Sequence, residues 1–166
     1  ITTGGYDASG NSISATGDFS TLGNYFAAGP SLGDLDGDGS VDIVAPSWSD
    51  STVYVFNNDG SVKAGWPLKI YQPMFSLAAI GDLDNNGTKE LVFGSNGPNL
   101  FAMRSNGTEW MNGDNNPSTI GVFKVLGASF NYGTPALADI NNDGFLDIVY
   151  GGFDGNLYAW DRFGNN

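Results

Sequence analysis

The sequence predicts an all-β chain of β-propeller blades: about three four-stranded antiparallel blades, an open fragment or part of a larger propeller. Three observations predict it. The chain repeats itself three times in register, with a period close to that of one blade. Its apolar runs are only four to seven residues long and are closed by Gly, Asn, Asp or Pro, which suits strands. No segment shows helical periodicity of apolar residues.

The repeat is carried by two blocks. The first reads Gly33-Asp34-Leu35-Asp36-Gly37-Asp38-Gly39-Ser40-Val41-Asp42, then Gly81-Asp82-Leu83-Asp84-Asn85-Asn86-Gly87-Thr88-Lys89-Glu90, then Ala138-Asp139-Ile140-Asn141-Asn142-Asp143-Gly144-Phe145-Leu146-Asp147. Ten or eleven residues after the last acid comes Val53-Tyr54-Val55-Phe56, Leu100-Phe101-Ala102-Met103 or Leu157-Tyr158-Ala159-Trp160, followed by Gly60, Gly107 or Gly164. A partial copy, Tyr6-Asp7-Ala8-Ser9-Gly10, stands near the amino end. Between Tyr6, Phe56, Met103 and Trp160 the periods are 50, 47 and 57 residues.

The elements follow in order. Residues 1–19 read as the tail of a preceding blade, 20–70 and 71–122 as blades, and 123–166 as an incomplete blade. In the first full blade the strands are expected at 28–32, 41–46, 52–57 and 62–68, and the others follow by alignment. Asn58-Asp59-Gly60 and Ser105-Asn106-Gly107 are expected to be tight hairpin turns, because Gly and Asn tolerate positive φ. The polar stretch 112–118 lengthens the last period and is expected to be a loop. Three periods cannot close a ring, so the chain is expected to be a fragment or part of a multi-chain assembly, with residues 6–19 available as the strand the last blade lacks.

Positions 1, 3, 5 and 9 of the first block carry only oxygen ligands: Asp34, Asp36, Asp38 and Asp42; Asp82, Asp84, Asn86 and Glu90; Asp139, Asn141, Asp143 and Asp147. Alternate positions of a tight loop converge on one point, and hard divalent cations, calcium above all, take six to eight oxygens (roughly). Position 6 is Gly39, Gly87 or Gly144, where a sharp turn and positive φ are expected. Position 7 is Ser40, Thr88 or Phe145, with no shared side-chain chemistry, so its backbone carbonyl is expected to coordinate. An EF-hand fits poorly, since the final acid stands at position 9 and a strand follows. Ten of the 18 acids lie in these loops, where repulsion would cost stability without a cation. Four carboxylates in the first loop against three in each of the others rank the first as the tightest site.

Composition excludes other chemistry. With no His and no Cys, the chain cannot build a Ser-His-Asp triad, a cysteine nucleophile, an ordinary zinc site or a disulfide. A net charge of -12 disfavours nucleic acid and anionic membrane surfaces. No apolar run approaches a membrane span, and Ile1-Thr2-Thr3-Gly4-Gly5 is neither a start Met nor a signal peptide, so the chain reads as processed or excised.

These loops and their spacing resemble the calcium-binding FG-GAP and VCBS repeats of β-propellers, a family that includes the integrin α-subunit head and many secreted bacterial proteins. In that family a D-x-D-x-D-G-x-x-D loop joins the first two strands of a blade and holds calcium, and the residues above occupy the matching positions. Phe93-Gly94, Ala45-Pro46 and Gly151-Gly152-Phe153 match the family signatures loosely, and Gly65-Trp66-Pro67 is similar to an ending of bacterial surface members. The resemblance implies three Ca2+ sites in an extracellular or cell-surface module for adhesion, ligand binding or assembly, without catalysis of its own. Its partners would be a protein or carbohydrate ligand, or further blades. The alternative is the propeller part of a secreted polysaccharide-active lyase or hydrolase, or a lectin-like module. The acids outside the loops, such as Asp50, Asp114 and Asp154, are those left for catalysis. Trp48, Trp66, Trp110 and Trp160 are candidates to stack on sugars, Trp48 being the best exposed, whereas packing suits Trp160 better. Of the two sequons, Asn106-Gly107-Thr108 at a hairpin tip is expected to carry a glycan, and Asn86-Gly87-Thr88, inside a metal loop, is not.

Overall fold

A computed structural model describes residues 26–127 and 132–166, together with the backbone of residues 5–6 and 12–13. Among the described residues every regular element is a strand. β1 (Gly5–Tyr6) and β2 (Ser12–Ile13) pair with each other. The proposed use of residues 6–19 to complete the last blade otherwise lies outside the described residues.

The first blade orders β3 (Ser31–Gly33), β4 (Asp42–Pro46), β5 (Thr52–Phe56) and β6 (Leu68–Lys69) as an antiparallel meander. The second repeats it with β7 (Ala79–Gly81), β8 (Glu90–Gly94), β9 (Asn99–Met103) and β10 (Val122–Val125). The third has three strands, β11 (Ala136–Ala138), β12 (Asp147–Gly151) and β13 (Leu157–Trp160). Registers coincide across blades: Gly33 faces Asp42, Gly81 faces Glu90 and Ala138 faces Asp147. The second strand likewise pairs Ile43 with Phe56, Leu91 with Met103 and Ile148 with Trp160.

Alternation of side chains across a strand explains how the blades stack. From β8 and β9, Leu91, Phe93, Phe101 and Met103 join Leu35, Val44, Val53, Val55 and Trp66 of the first blade in one core. Val92, Leu100 and Ala102 point the other way and pack with Phe123, Ile148, Tyr150 and Trp160. The middle blade is therefore buried on both faces, and all residues of β8 and β9 are buried.

Two elements differ from the sequence expectation. The fourth strand of the first blade does not run through 62–68: Val62 makes one bridge to Phe56, and pairing resumes only at Leu68–Lys69. Gly65 lies between them in the left-handed region (φ 88), where a continuous strand cannot pass. In the second blade the fourth strand is Val122–Val125, which starts at the expected blade boundary, residue 122, and runs past it. The expected hairpin turns are present: Gly60 and Gly107 have φ of 83 and 79, and their amides donate to the carbonyls of Asn57 and Arg104.

Candidate metal centres

All three acidic loops connect the first strand of a blade to the second, at the same end of the three sheets. Their conformation is written in the position-1 carboxylate. Asp34 accepts from the amides of Asp38 (3.1 Å) and Gly39 (3.0 Å), Asp82 from Asn86 (3.0 Å) and Gly87 (2.8 Å), and Asp139 from Asp143 (3.1 Å) and Gly144 (2.9 Å). Position 6 is left-handed in every copy, with φ of 87, 91 and 90 at Gly39, Gly87 and Gly144. Position 4 is left-handed too, at Gly37, Asn85 and Asn142. The Gly-Asn-Asn identities there, types that tolerate positive φ, were the available signal.

Position 9 anchors the loop to the blade. Asp42, Glu90 and Asp147 are buried, and each accepts the amide of position 2, Leu35 (3.0 Å), Leu83 (2.9 Å) or Ile140 (3.0 Å). One oxygen of that carboxylate is thereby used and the other faces the loop interior. Asp34, Asp36 and Asp42 bring carboxylate oxygens within 4.8 Å of one another, and so do Asp82, Asp84 and Glu90. Position 5 closes a turn within the loop: Asp38, Asn86 and Asp143 accept the amides of Ser40, Thr88 and Phe145 at 2.7, 2.7 and 2.9 Å.

The three interiors differ. In the second loop, Asp84 Oδ1 and Glu90 Oε1 are buried without a hydrogen-bond partner. Burial pushes Glu90 up to about 7 against the Leu83 amide, and the charges of Asp84 and Asp82 push the same way. Two buried, unpartnered carboxylate oxygens beside a third carboxylate, Asp82, form an all-oxygen donor set that a hard cation fits. In the first loop, Lys63 Nζ lies 2.7 Å from Asp36 Oδ2 and 2.9 Å from Asp42 Oδ1. Burial opposes the charge of Lys63, but the hydrogen bonds to Asp36 and Asp42 outweigh it and raise its pKa, while the bond to Lys63 lowers that of Asp36. An internal ammonium thus holds the carboxylates expected to bind metal most tightly. In the third loop, Asn141 donates to Asp143 (3.3 Å) and Asp147 (3.5 Å).

The loops also touch each other. The Lys89 amide donates to Leu35 O (2.7 Å) and its Nζ to Asp34 O (2.6 Å), and Asn85 Nδ2 donates to Gly144 O (2.7 Å).

The tryptophans have separate positions. Trp160 is buried in the second core, and Trp66 in the first. Trp66 and Trp110 donate their indole N–H to Ser105 O (2.8 Å) and Arg162 O (2.7 Å), each in the hairpin turn of the next blade. Trp48 is 41% exposed, at the opposite end from the acidic loops, beside Phe75. Among the acids left for catalysis, Asp50 and Asp154 accept the hydroxyls of Tyr54 and Tyr158, and Asp114 that of Thr119. Both sequons fold alike, the Thr amide and hydroxyl donating to Oδ1 of Asn86 or Asn106, and both Asn residues are exposed.

Comparison with known proteins agrees with this repeat. Two lambda-carrageenases, from Pseudoalteromonas sp and Pseudoalteromonas carrageenovora, are each 39% identical over 75 residues, 45% of this chain but 7% of theirs. The crystal structure of the V. cholerae biofilm matrix protein Bap1 superposes with a TM-score of 0.54 at 18% identity, over 82% of this chain and 18% of that one, a likeness of fold. The model of the FG-GAP-like repeat matches twice, over residues 34–93 and 82–150. Those matches span the three acidic loops and the blades they join, and the chain belongs to the FG-GAP-like repeat family.

Proposed function

We propose that this chain is a calcium-stabilised, non-catalytic propeller segment of a longer extracellular protein that works on or within a polysaccharide material. The carrying observation is the second loop, where Asp84 Oδ1 and Glu90 Oε1 are buried and unpartnered. Calcium would supply the missing positive charge there, held by Asp82, Asp84, Asn86 and Glu90 with the Thr88 carbonyl. The corresponding residues of the other loops are Asp34, Asp36, Asp38, Asp42 and Ser40, and Asp139, Asn141, Asp143, Asp147 and Phe145. Affinity follows the order second, third, first, because the first loop must displace Lys63. The extracellular setting is supported by the likeness to a biofilm matrix protein and to carrageenases, although the chain spans only a small share of either. Partners would be carbohydrate or protein at the cell surface, or further blades against the open sheets. In a host that glycosylates exported chains, Asn106 carries a glycan, detectable by glycopeptide mass spectrometry.

The carrageenase match favours a second reading, a propeller within a polysaccharide-active enzyme. Assay of this chain on oligosaccharides, with and without calcium, separates the two. The test of the first is thermal unfolding in calcium and in EGTA. At a hundredfold excess over Kd one site stabilises by about 2.7 kcal/mol, a shift of about 5 to 10 °C for a domain this size. An unmoved Tm would remove the metal reading.

A further inference from the structure

The chain has two arginines, Arg104 and Arg162, and both line one cleft of about 440 Å³ between the second and third blades. Asp84, Trp110, Met111, Phe145 and Phe163 complete its wall. In a chain of net charge -12, gathering both guanidinium groups in one place calls for a reason. Their geometry gives one. The Arg104 guanidinium carbon lies over the Trp110 ring at 4.6 Å from its centre, and that of Arg162 over Phe145 at 3.4 Å and over Phe163 at 4.5 Å. Stacking on a ring fixes the plane of a guanidinium while leaving its N–H edge free, and that fork matches the paired oxygens of a carboxylate or sulfate. Among the described residues no carboxylate stands within ion-pair distance of Arg162, and Arg104 meets only Asp84, at 3.8 Å. Phe163 is 57% exposed beside the two cations, and its ring offers an apolar face to the C–H side of a sugar.

We propose that this cleft binds the acidic group of an anionic polysaccharide, with Arg104 and Arg162 taking the sulfate or carboxylate and Phe163 the adjoining ring. This rests on the polysaccharide setting proposed above. Asp84 links the cleft to the second acidic loop, because its Oδ2 faces Arg104 while its Oδ1 is buried toward the cation position. A cation there neutralises Asp84, removes the repulsion an incoming anion would meet, and releases Arg104, so calcium is expected to strengthen binding.

The test is isothermal titration of this chain in calcium with three probes: a sulfated galactan oligosaccharide, the same oligosaccharide desulfated, and an oligogalacturonate. Binding of the sulfated or carboxylated probe, absent for the neutral one and weakened about tenfold or more in Arg162→Gln or Arg104→Gln, supports the proposal and identifies the acidic group. Phe145→Ala, which unseats Arg162 while keeping the backbone carbonyl of the third loop, should weaken the anion as well. Equal affinity in wild type and Arg162→Gln, or binding of the desulfated probe as tight as that of the acidic ones, would overturn it. The calcium shift in Tm is read separately. A preserved shift with unaffected anion binding in the arginine variants refutes the cleft alone; arginine-dependent binding without a shift refutes the metal reading alone.

Discussion

At the scale of single residues, the first loop owes its state to Lys63, whose ammonium is shared by Asp36 and the buried Asp42. Removing one member of a buried ion pair costs about 3 to 5 kcal/mol because the other charge is left uncompensated. Lys63→Met should therefore lose stability of that order in EGTA and recover most of it in calcium, as the first loop becomes a metal site. Denaturant unfolding in the two buffers measures both, and the same loss in each would disprove that Lys63 stands in for a cation. Glu90 makes the opposite case. Its carboxyl is raised from 4.5 to about 7, so in calcium-free buffer the folded state holds a proton that the unfolded state has lost. Stability contributed by this group is greatest below about pH 4.5 and falls as pH rises toward 7, by roughly 3 kcal/mol. Relative to wild type, Glu90→Gln should flatten that slope in calcium-free buffer, as read from unfolding at pH 5 and pH 7.5. A wild-type slope that survives the substitution would contradict the assignment.

At the scale of elements, loops and turns were legible because they are local: the Gly at position 6, the acid at position 9 and the hairpin Gly recur at fixed spacing, and spacing alone fixes their conformation. The pairing of the residue before position 1 (Gly33, Gly81 or Ala138) with position 9 in all three blades follows from that regularity. Lys63 was not legible, since it lies 21 residues beyond Asp42 in sequence and reaches it only through the fold. Arg104 and Arg162 escaped notice for the same reason, standing in hairpin turns of different blades. The broken fourth strand also has a tertiary cause. An added Cβ at Gly65 would lie 2.0 Å from the Asn106 carbonyl oxygen, and one at Gly107 would lie 2.4 Å from Gly65 O. Two left-handed glycines thus let adjacent blades touch backbone to backbone, where Trp66 reaches across to Ser105. Gly65→Ala and Gly107→Ala should each destabilise by more than about 2 kcal/mol, strain and clash together. Gly39→Ala meets nothing within 4 Å and should show the φ cost alone, about 1 to 2 kcal/mol. Equal losses at all three, by denaturant unfolding, would remove the blade contact from the explanation.

At the scale of the whole molecule, the acidic loops form one hydrogen-bonded row along the end of the blades. Lys89 ties the second loop to the first through the carbonyls of Leu35 and Asp34, and Asn85 ties it to the third through Gly144 O. Each tie leaves from a residue adjacent to a second-loop ligand: Lys89 precedes Glu90, and Asn85 stands between Asp84 and Asn86. A cation that orders the second loop therefore orders the donors that hold its neighbours, and local opening of the three loops becomes coupled. Occupation of the second loop should then slow amide exchange not only at Asn86 and Gly87 but also at Gly144 and Phe145, whose amides bond to Asp139 and Asp143. Asn85→Gly keeps the left-handed backbone at that position (φ 59) while deleting the amide that reaches Gly144. In that variant calcium at a concentration filling only the second loop should still protect Asn86 and Gly87 but no longer slow exchange at Gly144. Hydrogen exchange by NMR across a calcium titration reads both positions at once, and protection of Gly144 that persists in Asn85→Gly would show that the coupling runs through the packed blades and not along the loop row.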